Sequence, residues 1–153
     1  MNQKRAFLLI SLVALLLFAC SGIALGAENT DFVVKDGVLI KYQGKNTKVV
    51  IPENLGITVI GENAFYKNEK ITSVVIPKGV TEIGNSAFCR CANLTFITVP
   101  DGVISIGSTA FDGTAIKTMA LPNSVTTVGD GLFLACDSLI SVKLSYNIKE
   151  IPY

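Results

Sequence analysis

Two hydrophobic patterns divide the chain. From Ala6 to Ala19 apolar residues run without a period, broken only by Ser11 and preceded by Lys4 and Arg5. From Phe32 onward the apolar residues come in short alternating bursts, each closed by a turn residue. The pairs Val74/Ile76, Ile97/Val99, Met119/Leu121 and Val142/Leu144 alternate at period two. That spacing predicts short strands with one face inward. Pro77, Pro100 and Pro122 follow three of these pairs, and Ser145 follows the fourth. Proline cannot donate to a strand ladder, so it ends the strand and turns the chain. A second set of apolar pairs follows in Val80/Ile83, Val103/Ile106 and Val125/Val128, and a glycine closes each set. Glycine there is expected to permit a tight corner.

These bursts are copies of one unit. Gly61-Glu62-Asn63-Ala64-Phe65 aligns with Gly84-Asn85-Ser86-Ala87-Phe88, with Gly107-Ser108-Thr109-Ala110-Phe111, and with Gly129-Asp130-Gly131-Leu132-Phe133. The phenylalanines Phe65, Phe88, Phe111 and Phe133 lie 23, 23 and 22 residues apart. The first unit carries two extra residues before Gly61, and the third lacks one between Phe111 and Pro122. A fixed period of this length is the signature of a solenoid, whose units bury their apolar face only by stacking. The Ala-Phe pair is expected to point inward from a short helical turn. Each buried Phe then contributes about 1.5–3 kcal/mol.

The unit I-G-x-x-A-F-x-x-C/N-x-x-L-x-x-V-x-I-P-x-x-V resembles the BspA-type leucine-rich repeat of bacterial surface proteins, over residues 49–151. The resemblance implies a mainly β leucine-rich-repeat solenoid of about four and a half coils, each of 22–25 residues. It also implies a role in surface attachment or in binding other proteins.

A solenoid needs capped ends. Asp36-Gly37 between Phe32–Lys35 and Val38–Tyr42 is a hairpin signal. Residues 27–48 are therefore read as a lead-in and an N-terminal hairpin cap, and residues 49–153 as the solenoid. At the other end Ile148 and Ile151 repeat Val125 and Val128, but Pro152 replaces the glycine. The fifth unit reads as a half unit. Either Tyr146–Tyr153 seals the last coil, or the chain is a shortened relative of a longer repeat protein.

Residues 1–26 have the charged start and apolar middle of a secretory signal peptide. Ala24 and Gly26 suit signal peptidase cleavage before Ala27, giving a secreted protein. Leu17-Phe18-Ala19-Cys20 resembles a lipobox instead, with lipidation at Cys20. An uncleaved anchor is the third outcome. Contact with a membrane is expected only through this segment or a lipid on Cys20. Of the 13 basic residues Lys4 and Arg5 lie in the leader, so 11 remain against 12 acidic ones, a net charge of −1. Such a balance offers no basic face for nucleic acid.

The chain has no histidine. That removes Ser-His-Asp and Cys-His nucleophile pairs and histidine metal sites. No phosphate-binding glycine loop is present, and the remaining carboxylates fall mostly in turns. No cofactor, metal or catalytic residue is expected, and the protein is not read as an enzyme. Cys91 and Cys136 occupy one repeat position, three residues after the Phe, where the first coil has Asn68. A buried free thiol suits that place. Two coils separate them, at about 4.8 Å per coil, too far for a disulfide. Cys89 is expected near the surface on a turn, unpaired or in an intermolecular disulfide.

By alternation the outward positions of the main strands are Lys48 and Val50, Ser73 and Val75, Phe96 and Thr98, Thr118 and Ala120, and Ser141 and Lys143. This face, small and uncharged apart from Phe96 and its terminal lysines, is the candidate surface for another protein. Phe96 is its candidate anchor. The alternative is that Phe96 merely packs sideways on Val75 or Ala120. The function expected is an exported or surface-displayed, adhesion-type binding module. A structural spacer, or a remnant of a longer surface repeat protein, is the alternative.

Overall fold

A computed structural model describes residues 30–152. The leader, its cleavage sites, Cys20 and the beginning of the lead-in lie outside the described residues.

The described chain is nearly all β, a solenoid of about five turns. It opens with a hairpin, β1 (Phe32–Lys35) and β2 (Val38–Tyr42), paired antiparallel around Asp36-Gly37. Both turn residues have positive φ, 51° and 77°, as the primed hairpin turns require. Each coil then contributes two short strands. The first of each pair are β3 (Lys48–Val50), β5 (Ser73–Val75), β7 (Phe96–Thr98), β9 (Thr118–Ala120) and β11 (Ser141–Lys143). The second are β4 (Val59–Ile60), β6 (Glu82–Ile83), β8 (Ser105–Ile106) and β10 (Thr127–Val128).

The second set forms one continuous sheet with the hairpin, in the order β1-β2-β4-β6-β8-β10, parallel from β2 onward. The first set is split. β3-β5-β7 form one parallel sheet and β9-β11 another, and β7 and β9 are not paired. The split falls at the coil that lacks one residue between Phe111 and Pro122. The missing place corresponds to Asn93, whose side-chain amide donates to the Glu69 carbonyl of the coil before it at 2.7 Å. The approach to β9 is one residue shorter for it, and β9 does not pair with β7.

The two extra residues of the first coil fold into a single 3-10 turn, Glu53–Leu55, closed by Gly56 at φ 62°. Among the described residues there is no α-helix. The short helical turn expected at the Ala-Phe pair is corrected. The backbone there takes left-handed conformations twice per coil, at Asn63 and Lys67, Ser86 and Arg90, Thr109 and Gly113, and Gly131 and Ala135. Amides of alternate residues bond to the next coil instead of along a helix: Asn63 to Asn85, Phe65 to Ala87, Lys67 to Cys89, and likewise Phe88 to Ala110. The arc is too short for a helix to satisfy its own ends. A neighbouring coil supplies acceptors at every second residue.

The core runs down the axis of the stack. Ala64, Phe65, Val74, Ile83, Phe88, Leu94, Ile97 and Phe111 are among its buried members. The phenylalanine rings form a ladder continuous with the cap. Phe32 packs on Tyr42, Tyr42 on Phe65 at 5.2 Å, Phe65 on Phe88 at 4.8 Å, Phe88 on Phe111 at 5.7 Å, and Phe111 on Phe133 at 5.8 Å.

The closing glycines also differ from expectation. Gly61, Gly84, Gly107 and Gly129 do not have positive φ. Their reason is proximity. A Cβ on Gly84 would stand 2.8 Å from the Glu62 amide nitrogen, and one on Gly61 2.7 Å from the Leu39 carbonyl oxygen. Only a hydrogen fits where one coil crosses the last.

Candidate interaction surface

The face read from the alternation is built by β3, β5, β7, β9 and β11. Each strand sends its central residue inward: Val49, Val74, Ile97 and Met119 are buried and Val142 half-buried. The flanking residues must then point outward. Lys48, Val50, Val75, Phe96, Thr98, Thr118, Ala120, Ser141 and Lys143 are exposed, and Ser73 is half-exposed. Register aligns them in columns. Lys48, Ser73 and Phe96 are Cα partners in one column, and Val50, Val75 and Thr98 in the next. Beyond the split, Thr118 faces Ser141 and Ala120 faces Lys143.

Phe96 keeps 55% of its surface exposed, Val50 66% and Val75 39%. Phe96 stands directly beside Ser73, not Val75, and no strand pairs with β7 on its other side. Sideways packing therefore leaves more than half of the ring in water. Between Lys48 and Lys143 the strand positions of this face carry no charge.

The cysteines do not join this face. Cys91 is buried and its thiol donates to the Phe65 carbonyl at 3.1 Å. Cys136 repeats the contact to Phe111 at 3.0 Å. Thr114 takes the same place in the intervening coil, its hydroxyl donating to the Phe111 carbonyl at 2.9 Å. Sequence reasoning left Thr114 out of this ladder, although it stands three residues after Phe111, the same offset that marks Cys91 and Cys136. Cys89 is not near the surface as expected. It is buried, and its thiol donates to the Asp112 carboxylate in the next coil at 3.3 Å. Burial, then the Asp112 carboxylate, push its pKa from 9.0 to about 11. Burial pushes that of Cys91 to about 12. Thiols held protonated this far above neutrality are poor nucleophiles, and the three cysteines among the described residues are free. Among the described residues no group of three or more His, Cys, Asp or Glu could hold a metal ion. No helix of the described residues is long and apolar enough to cross a membrane.

Stacked coils, an aromatic ladder and an exposed strand face define a leucine-rich-repeat solenoid. The profile of the BspA type leucine rich repeat region matches residues 58–153 in six copies. The chain belongs to that family. No curated protein matches it in sequence. Among solved structures it is similar to a leucine-rich repeat protein from Bacteroides capillosus, at 32% identity and a TM-score of 0.63, over 73% of this chain and 90% of that one. It is also similar to the pneumococcal vaccine antigen PcpA, at 24% identity and a TM-score of 0.71, over 79% of this chain but 30% of that one. A third is a leucine rich cell surface protein from Faecalibacterium prausnitzii, at 28% identity and a TM-score of 0.53, over 76% of this chain and 41% of that one. The chain thus spans less than half the length of the last two.

Proposed function

We propose that the chain is a protein-binding module displayed outside the cytoplasm, with an adhesion-type role and no catalysis of its own. The observation that carries this reading is the exposed ring of Phe96, on a strand face that also exposes Val50 and Val75 and is otherwise small, polar or uncharged. Aromatic side chains are enriched at protein interfaces, where a few residues carry most of the binding energy. Export is supported by the leader pattern of residues 1–26, ending before Ala27 or at Cys20, and by the likeness to a protein described as a cell surface protein. Repeat folds host many partners, so the fold alone does not choose one.

The test is adhesion. Beads coated with the purified chain, with Phe96→Ser, or with albumin are counted on epithelial monolayers and on bacterial cells. The wild-type beads should bind, and Phe96→Ser should lower the count roughly tenfold or more, the scale of a hot-spot aromatic. Wild-type beads binding no better than albumin beads would leave the structural spacer as the reading.

A further inference from the structure

Total charge is balanced on this chain, but it is not evenly placed. The coil segments that build the lateral strand face run 45–50, 70–75, 93–98, 116–120 and 138–143, each ending with its strand. They carry five lysines, Lys45, Lys48, Lys70, Lys117 and Lys143, all exposed, and no carboxylate. The segments that build the other sheet and its glycine crossings run 58–63, 81–86, 104–109 and 126–131. They carry Glu62, Glu82 and Asp130, all exposed, and no lysine or arginine. Within three residues on either side of the lateral segments the signs mix, Glu53, Glu69, Asp101 and Asp137 against Lys67, Lys78 and Arg90. The excess of base therefore belongs to the lateral face itself. Phe96 lies on the third of the five lateral strands, so every one of its lysines is within two coils of the ring, about 10 Å along the axis at the usual strand spacing. They stand at both ends and along one flank of an uncharged middle that holds Val50, Val75, Phe96 and Thr98.

We infer that the partner of this face is a protein whose docking surface is acidic around an apolar side chain. The inference rests on the reading of the Phe96 face as a protein-binding surface, and adds the charge its partner must carry. Protein interfaces set an apolar centre inside a polar rim, and here the rim is of one sign. A basic partner surface would be repelled, whereas carboxylates are drawn in from a distance and fix the orientation of docking. The apolar centre distinguishes such a partner from other polyanions. A sulfated sugar chain presents charge and hydroxyl groups, which would leave Val50, Val75 and the Phe96 ring without an apolar cover. None of the five bases is an arginine, the side chain whose planar fork matches phosphate, so a nucleic-acid backbone fits less well than separate carboxylates do.

The test is the kinetics of the purified chain on immobilised synthetic polypeptides, followed by biolayer interferometry. A glutamate–tyrosine copolymer should bind it, a glutamate homopolymer should bind more weakly, and a lysine–tyrosine copolymer should not bind. Association with the first should slow at least about tenfold between about 0.01 M and about 1 M salt, as the screening length falls from about 30 Å to about 3 Å. Lys70→Glu with Lys117→Glu should slow it by a similar factor at low salt, with an unchanged circular dichroism spectrum, because both side chains are exposed. Glu62→Lys with Glu82→Lys, on the other sheet, should not slow it. Phe96→Ser should act on the other rate, raising dissociation about tenfold. No binding to the glutamate–tyrosine copolymer overturns the inference, and so does tighter binding to heparin, to duplex DNA or to immobilised copies of the chain itself. Association indifferent to salt and to the lysine reversals, with Phe96→Ser still speeding dissociation, overturns the acidic partner and leaves the protein-binding face standing. Dissociation unchanged in Phe96→Ser takes down that face and the inference with it.

Discussion

Gly107 lies where the third coil passes over the second, and the demand on it is spatial. A Cβ there would stand 2.5 Å from both the amide nitrogen and the side-chain oxygen of Asn85, and 2.7 Å from the Gly84 carbonyl carbon. Those are mostly backbone atoms that cannot swing aside. Gly56 has the opposite problem: nothing lies within 4 Å of its would-be Cβ, but its φ is 62°. Gly56→Ala should therefore cost about 1–2 kcal/mol, the left-handed penalty of an L-residue. Gly107→Ala should cost about 3 kcal/mol, at the upper end for forced overpacking. Urea midpoints of the two variants check the order, and equal losses would sink the distinction. The sequence shows that a glycine recurs here but not why. The same letter serves a corner in one place and a close crossing in another, and only the neighbouring coil tells them apart. Cys89 misleads in the same manner. Its place beside Arg90 in a turn reads as surface, yet the next coil covers it and Asp112 accepts a hydrogen bond from its thiol.

Among the elements, the phenylalanine ladder and the strands were legible, because period two and a recurring ring are direct consequences of burial. The arcs between them were not. Their left-handed positions carry Asn, Lys, Ser, Arg, Thr and Ala as well as glycine, so no residue type marks them. Their hydrogen bonds run to a coil about 23 residues away, beyond the reach of any local pattern. The candidate face followed from the strands by alternation alone, and all its members but Ser73 are exposed. The strand break beside it did not follow, since one missing residue shifts the register without altering the apolar pattern. The ladder itself can be tested along its length. Phe88 is fully buried between two rings, whereas Phe133 ends the stack and is half-buried. Phe88→Ala should cost about 3–5 kcal/mol. Phe133→Ala removes the same atoms but leaves a gap that solvent already reaches, so its loss should be about half as large. Denaturation of the two variants under one condition compares them directly, and a Phe133→Ala loss equal to that of Phe88→Ala would mean that the last coil is fully packed.

At the scale of the whole molecule, a solenoid is close to a one-dimensional stack in which each coil is held by its neighbours. Here three ladders join adjacent coils: the two strand sets and the left-handed arcs. Between the second and third repeat units one of the three is interrupted. Thr95 and Phe96 donate to the Thr72 carbonyl, and Ile140 and Ser141 donate to the Lys117 carbonyl, but β9 has no such pairing back to β7. The other ladders continue across the gap, through β8 with β10 and through Phe88 to Ala110. The break should therefore loosen β9 locally without separating the solenoid into two bodies. Native-state hydrogen exchange reads this residue by residue. The amides of Lys117 and Thr118 should exchange at least about tenfold faster than those of Thr95 and Phe96, as expected for losing one net hydrogen bond of about 1.4 kcal/mol. The amides of Gly107 and Gly129, bonded to the Ile83 and Ile106 carbonyls at 2.7 and 2.8 Å, should stay protected to a similar degree on both sides of the gap. Equal protection at Lys117 and Thr95 would show that β9 is held as firmly as its neighbours. Loss of protection at Gly129 together with Lys117 would show that the one-residue deletion divides the stack into two cooperative halves.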